Sequence, residues 1–481
     1  MCNASARSLL GHDRARVTPG IVHLGTGAFH RAHAAVHVDD LLKTDPSWGI
    51  IGASLRRADT RDALAPQDFL YTLVVRSGSE SSHRVIGSLL DVLDATHQHE
   101  ELLAAMADPR IRIVSLTVTE KGYCHDPASG ELDEDHPDIV HDLADMASPA
   151  SAPGYIVRAL ELRRQAGIAP FTVMSCDNLP ANGRTAARIV ARLAALHDEG
   201  LGEHVARDVA FPSTMVDRIV PATTDADRAR VLAETGLADA WPVVTEPFSQ
   251  WVIEDRFPAG RPALETVGAR FVPDVEPFEL MKLRLLNGSH STLAYLGYLA
   301  GYAFVSETMA DPAFHALVER LMRDEVMDTL PRELGGLDDY REALLARFAN
   351  PALRHRTWQI AMDGSQKLPQ RLLGTIRDRL AAGRPVELCA LGVAAWIRYA
   401  CGHDEQGGRI DVRDPLAGRL GEIAAKAGDD AGRLVDGFLG IEEVFGRDLP
   451  RNAVLRAALG KHLDSLLRRG ARKTVQSVVN A

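Results

Sequence analysis

The stretch Glu279-Leu280-Met281-Lys282-Leu283-Arg284-Leu285-Leu286-Asn287-Gly288-Ser289-His290 sets groups capable of proton chemistry into a leucine-rich run. Wound as an α-helix at ~100° per residue, it brings Lys282, Asn287 and His290 within an arc of roughly 140°. A lysine among leucines is costly unless it has a partner or a task. Burial lowers a lysine pKa and makes its amine a usable general base near neutral pH. Glu279 lies one turn before Lys282 and is placed to relay its proton. The competing reading is a half-buried helix whose lysine and histidine reach out to water. Three more polar residues close apolar runs: Asn178 in Val173–Pro180, Asp217 in Met215–Ile219, and Glu120 after Ser115–Val118. Carboxyl ends of parallel strands are where α/β folds hold ligands. Turns and helix caps use the same residue types.

A second chemical signal is the pair Gly25 and Gly27, directly after the apolar run Ile21–Leu24 and at the start of a helical pattern. Gly25 permits a tight turn, Gly27 lets backbone approach a pyrophosphate, and the helix start offers N–H groups to the phosphates. His30 stands where a dinucleotide fingerprint has its third glycine, so an ordinary strand-to-helix turn is the alternative. After the next apolar run come Arg56, Arg57 and Asp59. Asp59 suits a ribose 2′-hydroxyl and therefore NAD, whereas either arginine suits the 2′-phosphate of NADP. Asp59 lies 34 positions after Gly25, longer than the usual spacing, and a solvated loop of mixed charge is the other reading.

Strands and helices must position these groups. The first half alternates the two: strands at 21–24, 48–55, 69–75, 83–89, 111–118 and 171–175, with helices at 28–43, 100–106, 155–165 and 185–197. A serine/glycine turn at 77–82 separates the third and fourth strands. Such alternation predicts a mostly parallel sheet wrapped by helices. From about Phe278 the periodicity turns helical, over 281–302, 314–330, 340–348, 368–381, 386–400, 417–427 and 453–469. The fold class expected is α/β, with a dinucleotide-binding domain over 1–277 and a mainly α-helical domain over 278–481.

The 481 residues, 46% hydrophobic and 25% charged, suffice for sizeable cores and exclude disorder. A net charge of −11 argues against a nucleic-acid-coating role. The cysteines are Cys2, Cys124, Cys176, Cys389 and Cys401, with no C-x-x-C pair. Neither a disulfide framework nor a cysteine zinc site is expected, and a reducing cytoplasm fits. The first residues carry no apolar leader segment. The uncharged run 291–305 is shorter than the ~20 residues of a membrane span and reads as a buried helix. No nucleic acid, membrane or metal partner is expected, and nothing in the sequence signals an oligomeric state.

The chain resembles the polyol-specific long-chain dehydrogenases, the mannitol dehydrogenase family. The resemblance rests on Gly25–His33, Phe171–Gly183, Met215–Ile219, Trp241–Asp255 and Lys282–His290, which follow one another in the family's order. It implies an expanded Rossmann domain, a helical C-terminal domain, an active site in the cleft between them, and zinc-independent chemistry with NAD or NADP. By motif position it makes Lys282 the general acid/base, Asn178 and Asn287 amide donors to the substrate oxygen, and His290 the substrate-orienting histidine. Asp217 then binds substrate and positions the lysine, Glu279 and Glu120 are acids near it, and Lys367 contacts substrate. Gly25, Gly27, Phe29, Asp59 and Glu120 fall on the cofactor side.

Two branches of that family differ in substrate: one interconverts mannitol and fructose, the other D-mannonate and D-fructuronate. Residues 355–373 and 120–124 look more like the second branch. Gln359 falls where mannitol-oxidising members can carry a polyol-gripping arginine. Arg354, Arg356, Lys367 and Arg371 make the segment basic, which suits a sugar-acid carboxylate; an ordinary basic surface helix is the alternative. A catalytically silent NAD-binding sensor would have no use for the retained Lys282, Asn178, Asn287 and His290.

Overall fold

A computed structural model describes residues 6–126 and 129–480. Cys2 lies outside them. The chain divides into two compact units, Met1–Glu276 and Pro277–Ala481.

The first unit is built on a five-stranded sheet of β1 (Pro19–Leu24), β2 (Gly49–Ser54), β5 (Leu89–Asp94), β6 (Ile113–Leu116) and β7 (Thr172–Ser175), in the order β5-β2-β1-β6-β7. All four pairings are parallel. Side chains alternate between two cores, as the period of a strand demands. Val22, Leu24, Val114, Leu116 and Val173 enter the core with helices Ala152–Gln165 and Asn182–His197. Ile21, Ile50, Ile113 and Met174 enter the core on the other face. A sheet buried on both faces is what near-continuous apolar runs such as Ile111–Val118 produce. Two smaller sheets complete the unit. In one, β3 (Tyr71–Ser77) lies between β4 (Glu80–Ile86) and β9 (Val243–Thr245). In the other, β10 (Gln250–Glu254) lies between β11 (Arg270–Val272) and β8 (Thr214–Asp217).

Two sequence expectations need correction here. The helix expected over 28–43 is two helices, Ala28–Ala32 and Ala34–Leu41, broken at His33 with φ −123° and ψ −91°. His33 Nε2 lies 3.0 Å from the Gln250 carbonyl, and its ring meets Trp251 edge-on, so tertiary contacts override the helical period. The run 83–89 is not one strand: β4 ends at Ile86 and Leu89 opens β5, an inner-sheet strand that the periodicity did not separate.

The second unit is helical, and among the described residues it contains no strand beyond isolated bridges. Ser289–Leu299 and Glu387–Ala400 are buried almost all round, which explains their lack of a polar face. Three expected helices are interrupted by π-helical turns, in which the backbone bonds i→i+5. These are Lys282–Gly288, Leu321–Val326 and Pro369–Leu373. The last helix runs beyond 469, over Ala453–Val479, and kinks at Gly470 with φ 79°. Among the described residues no helix is long and apolar enough to cross a membrane.

Candidate active site

In the first unit the chain runs from β1 outward to β2 and β5, then crosses back to β6 on the other side of β1. Parallel α/β sheets bind ligands at the carboxyl ends of the strands flanking such a reversal. Gly25 leaves β1 there with φ +92°, and a Cβ on it would stand 2.2 Å from the Thr117 carbonyl oxygen. The Thr117 hydroxyl closes the same contact by donating to the Gly25 carbonyl at 2.7 Å. Around Gly27 the nearest such atom is the Gly25 oxygen at 3.8 Å, and the residue is exposed. Bare backbone at the exit of β1 is a cradle that fits the pyrophosphate of a dinucleotide.

His30 explains the missing third glycine. Its ring stacks on His23 of β1 with centroids 3.5 Å apart and planes 10° apart. The His23 nitrogens lie 2.8 Å from Ser115 Oγ and 2.8 Å from Thr117 Oγ1, both from the β6 side. A ring pair thus replaces the close helix–strand packing that a glycine normally allows. Burial pushes His23 down to about 3 and holds His30 well below the usual histidine range, so both rings stay neutral. Phe29 is half-buried and stacks on His33 at 5.1 Å.

Asp59 begins a short helix, Asp59–Leu64, after β2. It is exposed and lies 3.2 Å from Arg57 Nε. Arg56 hydrogen-bonds Asp138. Both arginines beside Asp59 therefore already face carboxylates.

Glu120 and Asn178 are exposed at the neighbouring exits of β6 and β7, whose register pairs Leu116 with Ser175. Between them sits Asp177, which sequence reasoning passed over. Its carboxylate accepts the Val118 N–H at 3.0 Å, the Thr119 N–H at 2.9 Å and the Tyr123 hydroxyl at 2.9 Å. Burial pushes this carboxyl up to about 6 against the pull of those three donors. Asp217, the last residue of β8, is buried at 3% exposure and pairs with Gln250 of β10. The signal for Asp177 was present: an acid beside a candidate asparagine at a strand exit.

In the second unit Glu279 lies in the helix Glu276–Met281, and Lys282 opens the first π turn. This corrects the α-helical arc. Five residues of α-helix would leave Lys282 and Asn287 roughly 140° apart. The slower i→i+5 winding narrows that angle. Both are half-buried. Gly288 ends the turn against another π segment, where a Cβ would stand 2.7 Å from the Arg371 carbonyl oxygen.

His290 follows, buried, stacked on Phe348 at 5.2 Å and meeting His355 edge-on at 4.6 Å. Burial holds it well below the usual histidine range, reinforced by His355, Arg371, Arg347 and Lys367. Its Nε2 is buried with no hydrogen-bond partner among the described residues. Buried polar atoms are rarely left so unless a ligand or water serves them.

The basic segment divides. Arg371 donates to Ser291 Oγ at 3.0 Å, and Lys367 donates to the Met362 carbonyl at 2.6 Å. The guanidinium groups of Arg354 and Arg356 lie over the Phe304 ring at 5.0 and 5.3 Å. Gln359 is exposed.

Cys124, His136 and Asp138 bring three potential metal-ligand atoms within 4.8 Å of one another. The donor chemistry opposes a cation there. Arg56 holds Asp138, His136 Nδ1 already accepts the Asp138 N–H at 3.2 Å, and burial pushes the Cys124 thiol up to about 12. Cys124, Cys176, Cys389 and Cys401 are unbridged.

Known proteins match this chain over nearly all of its length. Residues 19–266 match the family model described as the mannitol dehydrogenase Rossmann domain, and 274–467 match the mannitol dehydrogenase C-terminal domain. The chain is 48% identical to D-mannonate oxidoreductase of Escherichia coli strain K12 over 473 residues, 97% of each protein. It is 43% identical to a mannitol 2-dehydrogenase of Phaeosphaeria nodorum over 472 residues, 96% of this chain and 82% of that protein. Its fold matches the mannitol 2-dehydrogenase of Pseudomonas fluorescens, solved with NAD and D-mannitol, at a TM-score of 0.87 and 43% identity. That match covers 98% of this chain and 96% of the other. The chain belongs to the mannitol dehydrogenase family of oxidoreductases, which act on CH–OH groups.

Proposed function

We propose that this chain is an NAD-dependent oxidoreductase that interconverts the ketone of D-fructuronate and the secondary alcohol of D-mannonate. The observation that carries the substrate class is the surround of His290. After the neighbouring His355 ring, the groups that act on it are the cations Arg371, Arg347 and Lys367, and its Nε2 has no partner among the described residues. A neutral ketose has little use for such a surround, whereas a sugar-acid carboxylate forms charge-assisted hydrogen bonds with it. The 48% identity to D-mannonate oxidoreductase and a glutamine at position 359 support the same branch. The second reading is mannitol and fructose, favoured by the 43% identical mannitol 2-dehydrogenases.

Gly25, Gly27, Phe29, Asp59 and Glu120 are assigned to the dinucleotide, with Asp59 taking the ribose hydroxyl and so favouring NAD. NAD, when bound, supplies the hydride acceptor in one direction and the donor in the other. In oxidation, an uncharged Lys282 amine takes the hydroxyl proton. Asn178 and Asn287 donate amide N–H groups to the oxygen as its negative charge grows, a preorganised stabilisation. His290 and Asp217 orient the substrate, and Lys367 and Arg371 receive its carboxylate. Glu279 exchanges the proton of Lys282 with solvent. In reduction, the ammonium of Lys282 returns the proton to the oxygen.

The test is the loss of NADH absorbance when purified protein meets D-fructuronate, D-fructose or D-tagaturonate, repeated with NADPH. Turnover of D-fructuronate with NADH, exceeding that of D-fructose, is expected. Preference for D-fructose overturns the substrate. Turnover of none of them overturns the enzyme and favours a silent sensor.

A further inference from the structure

Thr119 leaves β6 with φ 65° and ψ 165°, a backbone region that is essentially confined to glycine. A β-branched residue stays there only if its surroundings hold it. Thr119 is exposed, so side-chain packing does not. Its carbonyl accepts the Gly122 N–H at 3.0 Å, and its N–H side is held by Asp177, whose two carboxylate oxygens grip consecutive N–H groups, Val118 at 3.0 Å and Thr119 at 2.9 Å. The Tyr123 hydroxyl, shared between Asp177 at 2.9 Å and Ser175 at 2.5 Å, fixes the carboxylate in turn.

The other end of Asp177 is held as firmly. Its carbonyl accepts from Asn182 Nδ2 at 3.0 Å. The same buried Asn182 amide donates to the Thr214 carbonyl at 2.9 Å and accepts the Thr214 N–H at 2.9 Å. Thr214 opens β8, which ends at Asp217. The Thr214 hydroxyl returns to the Ser175 carbonyl at 2.7 Å. Asp177 and Asn182 together tie the exits of β6 and β7 to the start of β8. The polar residues on those segments are Glu120, Asn178 and Asp217.

We propose that Asp177 is a positioning residue: its carboxylate holds the β6 exit in a conformation Thr119 would otherwise leave, and so aims the amide of Asn178. It does not touch substrate. The role of Asn178 rests on the reading under Proposed function.

The test is a double-mutant cycle of Asp177→Asn and Thr119→Gly, with kcat and KM for D-fructuronate, NADH binding by fluorescence, and urea unfolding of each protein. Asparagine keeps the size of the side chain but replaces one acceptor oxygen with a donor that faces an N–H group. The expected result is a kcat lower by about 10- to 10²-fold in Asp177→Asn, as for a small misplacement of a reacting group, with NADH still bound. Glycine adopts the Thr119 conformation without strain, so Asp177→Asn made in the Thr119→Gly background is expected to cost markedly less. A purely structural role would lower the urea midpoint with no recovery of kcat by Thr119→Gly. That result, or an Asp177→Asn enzyme with unchanged kcat, overturns the proposal. Should Asp177→Asn fail to fold, Tyr123→Phe removes one bond to the same carboxylate, and a lower kcat at unchanged KM is expected. An unchanged kcat there counts against the clamp. Asn178→Ala separates the two claims. If it leaves kcat intact while the cycle behaves as described, the clamp stands and the assigned role of Asn178 falls.

Discussion

At the residue scale the proposed chemistry rests on Lys282. Replacing it with alanine removes the only proton acceptor assigned to the alcohol. The expected loss in kcat is ~10²-fold or more, the contribution of a positioned acid/base. Single-turnover kinetics check this, with an NADH titration showing that the cofactor still binds. Near-normal turnover would sink the assignment. Asn287→Ala is expected to cost about 10²- to 10³-fold in kcat, as loss of one donor to a developing oxyanion does, with KM little changed. Lys282, Asn287 and His290 were legible because polar residues in a leucine run stand out. Asp177 stood beside Asn178 at a strand exit, but its role was not legible, since that lies in two backbone N–H groups 58 and 59 positions away. Nor was the strain at Thr119, because no residue preference marks a threonine in a glycine conformation.

At the element scale the π turn Lys282–Gly288 narrows the angle between the lysine and the asparagine, and Gly288 lets two π segments meet. Gly288→Ala puts a methyl 2.7 Å from the Arg371 carbonyl, backbone that can yield only by moving Arg371. An overpacking cost of about 1–3 kcal/mol is expected, read from the urea unfolding midpoint, with KM for D-fructuronate raised because Arg371 shifts. An alanine variant with wild-type stability and KM contradicts the packing described. Apolar periodicity identified these segments as helical but not as π-helical, because the i→i+5 winding is imposed by packing partners. The break at His33 and the division of β4 from β5 were hidden for the same reason: each is decided by a contact distant in sequence.

At the scale of the whole molecule, strand–helix alternation before residue 277 and helical periodicity after it conveyed the fold class, since burial on both sheet faces writes itself as apolar runs. What composition could not convey is the acid sensitivity stored in buried neutral histidines. His23 is held down to about 3 and His355 to about 4, chiefly by burial. Their unfolded-state value is about 6.5, so below that pH the unfolded chain takes up protons that the native state refuses. The stability they contribute is fully present above pH ~6.5 and is lost as pH falls toward the folded values. By pH 5 the loss is about 2 kcal/mol for each such histidine. Urea unfolding midpoints at neutral pH and at pH ~5 check it, and a flat profile contradicts it.

The net charge of −11 gives a sugar acid no general attraction, so preference for one must come from the cations beside His290. The decisive measurement is kcat/KM for D-fructuronate and for D-fructose, with NADH, in the wild-type enzyme and in Arg371→Gln. Wild type is expected to favour D-fructuronate. Arg371→Gln is expected to lower that value by about tenfold or more, the worth of one charge-assisted contact, while D-fructose turnover changes little. A wild-type preference for D-fructose, or an equal loss on both substrates, contradicts the proposed function.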